Sequence, residues 1–151
     1  MRCSKEKERD DNLAEVLLFM VEFDVYNCRW SNGYRRVQEF MELERGECYR
    51  RYSRHDDFHG GVRYICYPST CRHTADAYDL IRVLKEICRN LISEGQQAEA
   101  CRAISVFGVI PRYYKHIAQE RLERVRNMWY DKWPGELPSA LTPLWERGRA
   151  L

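Results

Sequence analysis

From Leu13 to Tyr26 apolar residues are so dense that two periods fit them, a helix over Leu13 to Met20 and a strand through Phe19, Val21, Phe23 and Val25. Residues 12–22 therefore stay open between helix and strand. Downstream, Tyr26, Cys28 and Trp30 alternate with polar residues, and Ser31-Asn32-Gly33-Tyr34 follows. An Asn-Gly pair readily takes the positive φ angles of a type I′ turn, which predicts a hairpin whose return strand carries Val37, Met41 and Leu43 on one face. A second turn at Arg45-Gly46-Glu47 brings the chain back through Cys48 to Tyr52, and Val62, Tyr64 and Cys66 alternate with Arg63 and Ile65 in a further strand. The polar, glycine-ended run from Arg54 to Gly61 reads as a surface connection.

The second half of the chain has helical spacing. A helix is expected from about Ala75 to Ser93, capped by Thr74 and stopped near Gly95. Its apolar face would carry Ala77, Leu80, Ile81, Leu84, Ile87, Cys88, Leu91 and Ile92, with Arg82, Glu86 and Arg89 opposite. Residues 96–103 favour a short helix, whereas 104–110 are β-rich and stay open between helix and strand. After Pro111 a long helix runs to about Trp133, with Tyr114, Ala118, Leu122, Val125 and Trp129 in one stripe, and Pro134-Gly135 ends it.

These elements predict one α+β domain, an antiparallel β-meander over residues 15–67 covered by two or three amphipathic helices. A charged arm (1–11) precedes the domain (12–133), and a proline-containing tail (134–151) follows, either packed on the domain or offered to a partner.

The 151 residues suit one core, with 44% hydrophobic and 32% charged positions that favour a globular chain. Charge is almost balanced, 25 basic against 23 acidic residues, so the total points to neither nucleic acid nor membrane. No apolar run is long enough to span a bilayer, and the charged amino-terminal stretch lacks the apolar core of a signal peptide. Seven irregularly spaced cysteines fit reduced thiols. A soluble cytoplasmic or nuclear protein is the resulting expectation.

Three constellations carry candidate chemistry. His55, His59, Cys66, Cys71 and His73 supply nitrogen and sulfur ligands of the type zinc takes, although no two-residue knuckle spacing is present. The bland alternative makes Cys66 a core residue and the histidines loop residues. Trp30, Tyr34, Arg35, Arg36, Arg50 and Arg51 interleave arginine with aromatic rings, a combination that stacks bases and neutralises phosphate in single-stranded RNA. The same arginines have Glu39, Glu42, Glu44 and Glu47 nearby to pair with. Towards the carboxyl end, Trp129, Trp133 and Trp145 with Arg121 have the composition of an interface anchor, and equally that of a core.

Cys71 beside His73 also admits a thiol nucleophile, but no third orienting group or oxyanion site can be picked out. Phosphate loops, dinucleotide fingerprints and nucleophile elbows are missing from the sequence. The expectation is a non-enzymatic regulatory or adaptor protein acting by protein binding, such as a viral accessory factor, with no cofactor or with zinc. A single-stranded RNA binder and a zinc-stabilised regulatory module are the alternatives, and homo-oligomerisation is compatible with each.

Overall fold

The computed structural model describes residues 16–53, 72–135 and 138–145, with side chains described for 16–42, 77–135 and 138–145. Among the described residues α1 (16–26), α2 (Trp30–Ser53), α3 (Arg72–Ser93), α4 (Gln97–Ser105) and α5 (Lys115–Lys132) follow one another, and 142–145 are helical again. Short 3-10 turns lie at Val106–Val109, Arg112–Tyr114 and Ser139–Leu141. Among the described residues there is no strand, so the α+β meander is replaced by a helical fold.

The correction is sharpest in α2. Val37 and Met41 are four residues apart, a spacing that shares a face in either period. Tyr34, Val37, Phe40 and Met41 are all buried, and the odd separation of Val37 from Phe40 is incompatible with one strand face. Asn32 and Gly33 lie in the first turn of α2, and Arg45, Gly46 and Glu47 are also helical. Gly33 serves close approach: a Cβ there would stand 3.0 Å from Ile87 Cδ1 and 3.6 Å from Val25 Cγ2, where α1, α2 and α3 converge. Cys48 to Tyr52, read as a returning strand, continue α2 as helix, while the predicted strand through Val62, Tyr64 and Cys66 and the 54–61 loop lie outside the described residues. Residues 104–105 end α4 and Val106–Val109 form a 3-10 turn, and 16–22, the described part of the other open segment, are helical.

α3 packs against α2, α4 and α5. Its eight predicted face residues are all buried, and the α5 stripe of Ala118, Leu122, Val125 and Trp129 closes on it together with Tyr114. α3 begins at Arg72, so Thr74 lies inside the helix instead of capping it. Residues of the tail join the same core: Leu141 and Trp145 are buried, and a Cβ on Gly108 would lie 3.2 Å from Leu144 Cδ2.

Two helices stop in the same way. At the end of α3, Gly95 takes φ 73°, its amide donates to Ile92 O and the Gln96 amide donates to Leu91 O. These are the paired bonds of a Schellman stop. At the end of α1 the Cys28 amide donates to Val25 O and the Arg29 amide to Asp24 O, and Cys28 itself takes φ 57°. A left-handed residue with a Cβ is costly, which is why a helix break was not legible at this cysteine. Cys28, whose alternation with polar residues reads as a buried strand position, is exposed, whereas Cys88 is buried with the rest of the α3 face.

Candidate interaction surface

α1 has two apolar faces. Leu17 and Val21 point into the core, while Val16, Phe19, Phe23 and Tyr26 form an outward stripe, 52%, 68%, 52% and 87% exposed. At 100° per residue those four fall within about a quarter of the helix circumference. Taking about 200 Å² for an aromatic side chain, the three rings alone present about 400 Å², the size of patch that marks interaction sites on monomers. Arg29 places its guanidinium carbon 5.8 Å from the centre of the Phe23 ring, at the end of the stripe.

The inner side of α1 is held by charge as well as by packing. Asp24 is 4% exposed and accepts a hydrogen bond from Arg36 Nε at 2.8 Å, while Arg36 Nη1 lies 3.6 Å from Met20 Sδ. This pair ties α1 to α2 and fixes the rotation of α1, so the Phe19 side faces outward.

Beside the stripe, the start of α2 meets the α3–α4 corner. Ser31 Oγ and Tyr34 OH both donate to Glu99 Oε2, at 2.6 and 2.7 Å, and Arg102 bonds the other oxygen. Trp30 Nε1 and Gln96 Nε2 donate to the two oxygens of Glu94, each at 3.0 Å. α2 has no acidic residue in its own first turn, and these carboxylates from α3–α4 supply the negative charge a helix N-terminus favours. An open cleft of about 280 Å³ lies here, between residues 28–32 and Leu91, Glu94 and Gln96.

Hydrogen bonds from Ser31 and Tyr34 hold the Glu99 carboxyl below its ordinary value of 4.5, while burial and the Glu99 charge push the Tyr34 phenol above its ordinary 10.0. A lowered carboxyl contributes stability that is present above the unfolded value and lost as pH falls through the folded one; the raised phenol contributes stability lost as pH rises past 10.0. Glu99→Gln is accordingly expected to flatten the acid limb of the stability curve below pH 4.5. Urea midpoints measured across that limb check this, and a limb as steep as wild type would contradict it.

Several of the residues singled out in the sequence are buried or lie apart from one another. Trp129 and Trp145 are buried, Trp133 is half-buried with its ring centre 4.5 Å from that of Trp129, and so two of the three tryptophans have no surface to offer. Arg121 Nη1 bonds the exposed neighbour Glu120 at 3.2 Å, and its buried Nε has no hydrogen-bond partner among the described residues. Trp30, Tyr34, Arg35 and Arg36 spread around more than half of α2 in place of a single sheet face, with Tyr34 buried and Arg36 paired to Asp24. Arg50 and Arg51 lie about 30 Å along the same helix from Trp30, and their side chains lie outside the described residues.

Of the zinc-type set, His55, His59, Cys66 and Cys71 lie outside the described residues, and His73 sits in the first turn of α3. Among the described residues no three His, Cys, Asp or Glu side chains are grouped to hold a metal ion, and no helix is long and apolar enough to cross a membrane. The α1 stripe was missed because its members were divided between a helix and a strand reading. An apolar set too wide for one buried face is the signal that finds it.

The chain matches no protein-family model, no curated protein and no solved structure.

Proposed function

We propose that this chain is a protein-binding module of the regulatory or adaptor kind, and that its docking element is the outward face of α1. The observation that carries the reading is the stripe Val16, Phe19, Phe23 and Tyr26, exposed on a helix whose opposite face is anchored by Leu17, Val21 and the Asp24–Arg36 pair. Aromatic side chains concentrate binding energy at interface centres, because they bury much area while giving up little side-chain entropy. A helix fixed by a buried ion pair presents them already ordered, which lowers the entropic cost of association.

A photoreactive phenylalanine at position 19 tests this in cells. Covalent protein adducts are expected there, with few when the same group replaces Arg89 on the exposed side of α3. Equal yields at the two positions would remove the proposal.

A further inference from the structure

We infer that the occupant of this face is a second copy of the chain, packed antiparallel across a two-fold axis level with Val21. The inference rests on the docking role of α1 and adds the identity of what docks. Val16, Phe19, Phe23 and Tyr26 are separated by three, four and three residues, a series that reads the same in both directions. Two α1 helices related by the axis therefore bring Phe19 of each copy against Phe23 of the other, and Val16 against Tyr26. An isologous interface requires this self-complementarity, which the three-four-three spacing satisfies. The alternating three and four spacing is also the one that lets two helices pack along a continuous seam.

Area and charge favour the same occupant. Complete burial of the aromatic rings of two copies would remove at most about 800 Å² from water, and Val16 with the flanking side-chain stems brings that ceiling to about 1,000 Å², the lower bound for a specific contact. That size predicts a weak, concentration-dependent dimer in place of an obligate one. A formal charge of only +2 puts little long-range repulsion between copies.

Sedimentation equilibrium of the full chain, from about 1 μM to about 1 mM, reads the association directly. The expected result is a weight-average mass that climbs from the monomer toward twice that value, with association weakened at least about tenfold in Phe19→Glu. Phe19 is 68% exposed, so unchanged circular dichroism is expected to show an intact fold.

Register is tested by mixing. Phe19→Lys and Phe23→Glu are each expected to be monomeric alone and to associate when combined, because antiparallel packing sets Lys against Glu in one layer and leaves Phe against Phe in the other. Phe19→Lys combined with Phe19→Glu should stay monomeric, and association of that pair instead would overturn the antiparallel arrangement. A wild-type chain that remains monomeric throughout, or a Phe19→Glu chain that dimerises like wild type, would overturn the inference itself. Were the wild type monomeric while position 19 still cross-linked to a different protein, the docking role of α1 would stand and only the self-association would fall; with no adduct either, both would fall.

Discussion

Trp129→Ala is expected to lower the unfolding free energy by about 4 kcal/mol, the range found when a buried large aromatic side chain is truncated. The indole is fully buried in the α5 stripe after Leu122 and Val125, and its ring leans on Trp133 at 55°. α5 packs on α3, so the cavity would open against the central helix of the fold. Domains of this size hold about 5 to 15 kcal/mol in total, so the variant should lose between about a quarter and most of its stability. Urea denaturation followed by circular dichroism measures the loss. A change under about 1 kcal/mol would mean that the ring is not a core element, and would return it to the surface role its composition also allowed.

Arg36→Met is expected to cost about 2 to 3 kcal/mol. The substitution keeps the aliphatic stem but leaves the Asp24 carboxylate, 4% exposed, without the guanidinium that bonds it at 2.8 Å. Breaking a buried pair on one side costs about 3 to 5 kcal/mol, and the figure here is reduced because the Arg36 side chain keeps 32% of its surface in water. Combining Arg36→Met with Asp24→Leu should recover most of the loss, since a buried ion pair gains little over apolar side chains that fill the same space. A double variant as unstable as the single one would show that Asp24 serves α1 in some way other than by pairing. The same measurement bears on the arginine and aromatic set read from the sequence, because an arginine kept for phosphate contacts would leave stability unchanged when replaced.

α3 and α5 were legible because each has a single apolar stripe with polar residues opposite, and only the 3.6 period satisfies such a pattern. α1 and α2 were not, and the reasons differ. α1 carries two apolar faces, so its run of hydrophobic residues satisfies the period of a strand as well as that of a helix. In α2 the strongest local signal, Asn32-Gly33, sits at a tertiary close approach: a Cβ at Gly33 would stand 3.0 Å from Ile87 Cδ1 and the isoleucine would have to give by a few tenths of an ångström, which no window of neighbouring residues reveals. The break between the two helices falls on Cys28, a residue with no preference for the left-handed conformation it adopts. The tryptophans misled in another way, since burial and partner binding select the same side chains and composition alone does not separate them. The stripe on α1 was present in the spacing all along, but it gains meaning only once Asp24 and Arg36 fix which side of the helix faces out.

The carboxylates that serve the start of α2 come from far along the chain, Glu99 lying 68 residues from Ser31 and 65 from Tyr34. Such contacts carry a large loop-closure cost and cannot guide the first steps of folding. A nascent α2 has no acidic group in its first turn, so its N-terminal end stays frayed until the α3–α4 corner arrives. The expected order of assembly follows from this: α3 and α4 pair locally, α1 is set against α2 by the Asp24–Arg36 contact only 12 residues apart, and the start of α2 docks on the α3–α4 corner last. Glu99→Gln is accordingly expected to speed unfolding while leaving the folding rate nearly unchanged, which stopped-flow kinetics would check.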